Sequence, residues 1–246
     1  MKIYSKLESI RVKRGAVAIA LLDPDTKNDN RLQKMIDLVN TSDFDAIFLG
    51  GSFISDNEFE SRIKTVKENS DLPIIIFPGS SNQLSQYADA VLFLSLISGR
   101  NPQYLIGEHV KSAPVIRKLG LETIPTAYIL LDGGVRSSVE VVSNTSPIPM
   151  SKHDIIIAHA LAGEYLGNKL VFLESGSGAI NHAAFEIISL ISKQIQIPII
   201  VGGGVNTSKS AEKLVSSGAG YIVTGTQIEK LPSSRNLLEF TKAVHC

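Results

Sequence analysis

Residues 170–226 read LVFLESGSGAINHAAFEIISLISKQIQIPIIVGGGVNTSKSAEKLVSSGAGYIVTGT, and this stretch decides the fold. Three short apolar runs, Leu170–Leu173, Ile197–Val201 and Tyr221–Val223, each break into residues rich in glycine, serine or threonine. The segments between them, Ala183–Lys193 and Ser208–Ser217, carry apolar residues at helical spacing. Strand, turn and helix repeated in this way predict parallel strands joined by crossover helices. The runs are apolar at nearly every position, as strands covered on both faces must be.

The same unit recurs toward the N-terminus. Five more runs, Ala16–Leu22, Ala46–Leu49, Ile74–Phe77, Ala90–Leu94 and Thr126–Leu131, bring the candidate strands to eight. Helical patterns lie between them over Asn30–Asn40, Glu58–Glu68, Asn82–Tyr87, Gly107–Leu119 and Lys152–Leu166, and a last helix is expected over Ser234–Ala243. Eight alternations predict an α/β fold, a single-domain TIM (β/α)8 barrel over residues 1–246. Pro73 and Pro198 stand where a proline stops a helix without breaking a ladder, and Gly218 with Gly220 suits a helix C-cap. Ile155–Ala162 could be strand or helix; it reads as helix, because a strand there would leave no crossover before Leu170. The polar, proline-broken stretch from Asp132 to Ser151 is expected to be a long loop, and loops of that length are often functional.

Composition narrows the function classes. Basic and acidic residues balance at 24 each, which argues against a nucleic-acid partner. The start, MKIYSKLESIRVKRG, lacks the apolar core of a signal peptide, and no run approaches the roughly 18–20 apolar residues of a membrane span. The one cysteine is Cys246, so no internal disulfide forms. A cytoplasmic location is expected.

In such barrels the chemistry sits at the C-terminal strand ends. There the sequence places Asp23-Pro24-Asp25, Gly50-Gly51-Ser52, Glu174-Ser175-Gly176-Ser177-Gly178, Gly202-Gly203-Gly204 and Thr224-Gly225-Thr226. Glycine lets backbone N–H groups approach an anion closely, and the loops after strands seven and eight are the usual phosphate cradle. Tight βα turns alone would also explain single glycines, but three such loops in order point to a phosphate site. Asp23 with Ser52 could start an oxygen shell for Mg²⁺ or could be plain helix caps. Glu174 could bind a substrate hydroxyl or be a solvated strand-end acid. His109, His153, His159, His182 and His245 form no ligand-spaced cluster, and His182 reads as a first-turn helix residue.

These motifs together resemble the geranylgeranylglyceryl phosphate synthases and their bacterial relatives. The resemblance rests on LLDPDT at 21–26, GGS at 50–52, SGRNP at 98–102, LLDGG at 130–134, SNTSPIP at 143–149, FLESGSGA at 172–179, VGGGV at 201–205 and VTGT at 223–226. SGRNP and SNTSPIP look like the second of the family's two groups, found in archaea and bacteria. The resemblance implies a Mg²⁺-dependent prenyltransferase of ether phospholipid biosynthesis. It would join a prenyl diphosphate, geranylgeranyl diphosphate by the family's name, to the 3-hydroxyl of sn-glycerol 1-phosphate and release diphosphate.

Carried over position by position, Asp23 and Ser52 would hold the metal. Phe172, Leu173, Glu174, Ser175, Gly176, Ser177 and Gly178 would contact glycerol phosphate, with Gly203, Gly204, Gly225 and Thr226 on its phosphate. Glu174 and Asp23 would be the catalytic pair. Arg100 is a candidate for the diphosphate or a surface helix-start residue. Two departures stand out: Phe172 where members often carry tyrosine, and Leu21 where the other group carries lysine. Phe53, Phe93, Leu96 and Tyr128 could line a groove for the prenyl tail or be ordinary core. The resemblance also implies a homo-oligomer, dimer or larger, and leaves room for transient membrane contact. The other readings are a sugar-phosphate isomerase or aldolase, or a non-catalytic barrel that binds a phosphorylated ligand.

Overall fold

A computed structural model describes residues 2–245; Cys246 lies outside them. Eight parallel strands close into a barrel in sequence order: β1 Val17–Leu22, β2 Ala46–Leu49, β3 Ile74–Ile76, β4 Ala90–Leu96, β5 Glu122–Leu130, β6 Leu170–Glu174, β7 Ile199–Gly202 and β8 Tyr221–Thr224. Helices flank it: α1 Ile3–Arg14, α2 Leu32–Asn40, α3 Phe59–Asn69, α4 Glu108–Leu119, α5 Ser138–Ser143, α6 His153–Tyr165, α7 Phe185–Ser192, α8 Ser208–Ser216, α9 Thr226–Glu229 and α10 Ser234–Val244. The expected barrel is therefore present, and Ile155–Ala162 is helix. No helix among the described residues is long and apolar enough to cross a membrane.

Within each apolar run the strand period of two assigns alternate residues to different cores. Val17, Ile19, Ala46, Phe48, Leu92 and Phe172 point into the barrel, whereas Ala18, Ala20, Ile47, Leu49, Leu173 and Val201 pack under the helices. The bottom is plugged by α1, whose Leu7 joins the interior cluster. Glu122, at the start of β5, accepts the otherwise free N–H groups of Ile3 (2.5 Å) and Tyr4 (3.3 Å) and so caps that helix.

Three expectations need correction. Asn82–Tyr87 is not a helix but a chain of turns. Gln83 turns its amide to the backbone instead, with Nε2 donating to Gly51 O (2.8 Å) and Oε1 accepting from Gly79 N (3.2 Å). Ser85 Oγ likewise accepts from Tyr87 N (3.2 Å), and such bonds outcompete a six-residue helix that could barely nucleate. His182 is not in a helix, because α7 starts only at Phe185. The stretch from Asp132 to Ser151 is not wholly irregular: Ser137 Oγ accepts from Glu140 N (3.2 Å) and caps the short helix α5.

The missing helix between β3 and β4 shapes the site. Without it, the barrel wall has no helical cover on that side. A cleft opens there.

Candidate active site

One cavity of about 430 Å³ occupies the C-terminal end of the barrel and runs out through that cleft. Its polar end is lined by Asp23, Ser52, Glu174, Ser177, Gly203, Gly204, Gly225 and Thr226, so residues from five separate loops meet in one place. Its other end is apolar and passes Phe93, Leu96 and Tyr128 to reach Leu84, Val91, Ser112 and Ile116, between the outer face of β4 and α4. All four groove candidates, Phe53 included, line the cavity.

Glu174 ends β6 and is 6% exposed. Its Oε1 accepts the N–H of Gly176 at 2.7 Å. Burial pushes its carboxyl up to about 7, against the lowering pull of that N–H. A carboxylate poised there can take a proton from an alcohol near neutral pH. Its negative charge, after burial itself, also helps to hold the nearby Tyr128 phenol neutral.

The glycine loops are packed too closely for side chains. A Cβ on Gly203 would stand 2.6 Å from Glu174 Oε1 and 2.7 Å from Gly176 N, and its φ of 77° lies in the left-handed region. Gly204, with φ 72°, is equally tight against the backbone at Asn181 and His182.

Across the cavity Asp23 and Ser52 project from adjacent strands β1 and β2. Asp23 Oδ1 is buried without a hydrogen-bond partner among the described residues, while Oδ2 pairs with Lys27 Nζ at 2.8 Å. Burial raises the Asp23 carboxyl above its usual range, although Lys27 pulls it down. A buried carboxylate oxygen of this kind, on the same polar cavity as the Ser52 side chain, fits a hard divalent cation such as Mg²⁺. That ion keeps several waters and needs few protein ligands. Three or more His, Cys, Asp or Glu side chains in metal-binding array do not occur among the described residues.

Both loops are tied down from beneath by Arg62 of α3, which is 5% exposed. Its Nη1 donates to Pro24 O (3.1 Å) and Asp56 Oδ1 (2.8 Å), and its Nε and Nη2 reach Asp29 (2.5 and 2.9 Å). The guanidinium holds the Asp56 carboxyl well below the usual carboxylate range.

Not every residue singled out in the sequence faces the cavity. Phe172 lies beneath its floor, stacked on Phe77 at 5.2 Å, and Leu173 points outward under the helices. Ser175, Gly176 and Gly178 shape the loop from behind and do not line the cavity. Arg100 is also off the cavity wall; its Nη1 donates to Gly99 O (2.7 Å) and Ile97 O (3.2 Å). The neighbouring Asn101 donates through Nδ2 to Ser143 O (2.8 Å), so the SGRNP and SNTSPIP segments dock on each other. Lys27 and His109, both on the cavity wall, were not picked out by sequence reasoning. Lys27 directly follows LLDPDT, and that adjacency was the available signal.

The chain matches the PcrB family model over residues 9–244. It is 43% identical over 244 residues to a geranylgeranylglyceryl phosphate synthase of Chitinophaga pinensis, covering 99% of this chain and 96% of that one. A protein of the same name from Thermococcus gammatolerans is 41% identical over 224 residues, covering 91% and 88%. Among solved structures, (S)-3-O-geranylgeranylglyceryl phosphate synthase of Thermoplasma acidophilum, in complex with its substrate sn-glycerol-1-phosphate, superposes with a TM-score of 0.91. It is 31% identical and covers 100% of this chain and 99% of that one.

Proposed function

The chain belongs to the PcrB family, and from that premise we propose how its cavity carries out the reaction of the relatives it resembles. It is an enzyme that transfers a geranylgeranyl group to the 3-hydroxyl of sn-glycerol 1-phosphate, a step in making archaeal-type ether lipids. The observation that carries the mechanism is a single cavity that is glycine-lined and polar at one end and apolar at the other. A sugar phosphate would have no use for the apolar end; a polyprenyl diphosphate needs both.

Gly203, Gly204, Gly225 and Thr226 hold the glycerol phosphate, and Glu174 accepts a hydrogen bond from its 3-hydroxyl. Asp23 and Ser52 would hold Mg²⁺, which would supply positive charge to the leaving diphosphate. The prenyl chain lies in the apolar arm past Phe93 and Leu96. The C1–O bond of the prenyl diphosphate breaks with its electron pair leaving on diphosphate, and the allylic C1 gains cationic character. The 3-hydroxyl oxygen then bonds to C1 and its proton passes to the Glu174 carboxylate. The two alkyl partners are held in one cavity, so the step is effectively unimolecular.

Exposed Ile106, Val110 and Val115, in or beside α4, support assembly as a homo-oligomer. The direct test is Mg²⁺-dependent release of diphosphate from geranylgeranyl diphosphate on addition of sn-glycerol 1-phosphate. Absence of release with every prenyl length would overturn the mechanism. Asp23→Asn should keep the fold and lose the metal dependence with the activity; a fully active variant would sink the metal assignment.

A further inference from the structure

A diphosphate entering this cavity meets an acidic wall. Asp23, Asp25, Glu108, Glu174 and Glu229 line it, and among the described residues Lys27 is the one lysine or arginine in the lining. A trianionic group brought against Asp23 and the two carboxylates that already repel it, Asp25 and Glu229, needs a fixed cation as well as any metal, since like charges at close range cost several kcal/mol in partly desolvated surroundings. The glycine loops supply N–H dipoles at the far side but no charge.

We propose that Lys27 receives the diphosphate of the prenyl donor, and that its ion pair with Asp23 holds it at the cavity wall beforehand. This rests on the reading of the cavity given above. The position is built rather than incidental. Lys27 sits in a single 3-10 turn, Thr26–Asn28, capped by Asp25 Oδ1, which accepts from Lys27 N at 3.0 Å. The next residue, Asn28, is 1% exposed and anchored by Nδ2 to Asp23 O (2.9 Å) and Glu229 Oε1 (3.3 Å). Arg62 fixes the same loop through Pro24 O (3.1 Å). The backbone of Lys27 is therefore held, whereas its side chain is 56% exposed and its ammonium pairs only with Asp23 among the charged groups of the described residues. A compact cation on a flexible stem, with three donors, suits phosphate oxygens whose position changes as the bond to carbon breaks. Leu21, packed inside the barrel and close to Gly225, brings no charge to this end of the cavity.

The same ion pair makes two effects of opposite sign. Removing the lysine takes a cation away from the diphosphate but also removes a competitor for Asp23. Calorimetric titration of the full chain, parent against Lys27→Gln, separates them with three ligands: MnCl₂ alone, inorganic diphosphate in EDTA and then with Mg²⁺, and sn-glycerol 1-phosphate. In Lys27→Gln, diphosphate binding is expected to weaken by about tenfold or more in both buffers, with sn-glycerol 1-phosphate unchanged within about twofold and Mn²⁺ as tight as before or tighter. Lys27→Arg should recover most of the diphosphate affinity. Unchanged diphosphate binding in Lys27→Gln would overturn the proposal, as would a parallel loss of all three ligands. Asp23→Asn tests the metal reading apart from it: Mn²⁺ binding equal to the parent's would refute that reading, while the EDTA arm would still decide the role of Lys27.

Discussion

Glu174 Oε1 and the Gly176 N–H close a two-residue loop at 2.7 Å, and this one bond sets the carboxylate of β6 against the glycines of β7. It is the only hydrogen bond the buried carboxyl receives from the described residues, so desolvation dominates and the group stays protonated to about pH 7. Activity should therefore fall about tenfold per pH unit below 7 as the proton acceptor is lost. A pH profile of kcat/KM that stays flat from pH 5 to 8 would refute the role of Glu174.

The same shift has a stability sign. Between about pH 4.5 and 7 the folded chain keeps a proton on Glu174 that the unfolded chain has released, so stability falls as pH rises through that window. Glu174→Gln removes the cost. At pH 8 the variant should be more stable than the parent by about 2–3 kcal/mol, a rise in Tm of roughly 5–10 °C, with the advantage gone near pH 4.5. Its kcat should meanwhile fall by roughly 10²–10⁴. Melting curves at the two pH values, read beside the assay, check both halves.

Gly203→Ala should damage the phosphate end. The new Cβ would meet Glu174 Oε1 at 2.6 Å and Gly176 N and O at 2.7 Å, and an L side chain at φ 77° adds strain of about 1–3 kcal/mol. Affinity for sn-glycerol 1-phosphate is expected to drop by about two orders of magnitude, because the loop must back away from the ligand. Calorimetry with that ligand decides it, and wild-type affinity would remove Gly203 from the cradle.

Ser112→Phe should shorten the preferred prenyl donor. Ser112 is 8% exposed and faces the apolar arm beside Ile116 and Val91, where a ring would fill the channel. The ratio of kcat/KM for geranylgeranyl over farnesyl diphosphate is expected to fall by about tenfold or more, since each buried CH₂ contributes roughly 0.8 kcal/mol. An unchanged ratio would mean the tail lies elsewhere.

Arg62→Met should loosen the loops that carry Asp23 and Ser52 without touching the glycine end. The guanidinium joins Pro24 O, Asp29 and Asp56, so its loss leaves two carboxylates facing each other. KM for the prenyl diphosphate and for Mg²⁺ should rise while the affinity for sn-glycerol 1-phosphate holds. A uniform loss of all three would make Arg62 a general stabiliser only.

Much of this was legible in the chain itself. Eight apolar runs with helices between them leave a closed parallel barrel as the natural solution, because strands so apolar must be covered on both sides. The glycine loops after β6, β7 and β8 were legible as places of close backbone approach, since only glycine tolerates the packing found at Gly203. Asp23, Ser52 and Glu174 were marked by their place at strand ends, and the structure gathers them on one cavity. The reaction itself came from family likeness, because glycines and carboxylates alone do not specify a prenyl donor.

Other features were set by contacts between residues far apart in the chain. Asn82–Tyr87 has helical spacing, yet Gln83 spends its amide on Gly51 and Gly79, and the helix that would have sealed the barrel wall does not form. Arg100 could be a diphosphate ligand or a surface helix-start residue by its place in the chain, and only the fold shows its guanidinium turned onto the carbonyls of Ile97 and Gly99. Lys27 stands next to LLDPDT in the chain, but its 2.8 Å pairing with Asp23 at the cavity exists only in the fold. Local pattern determines which segments become strands and helices, because propensity and hydrophobic period act over a few residues. Tertiary packing decides which polar side chains face the cavity, because each satisfies its donors with whichever partner the closed barrel brings within 3 Å.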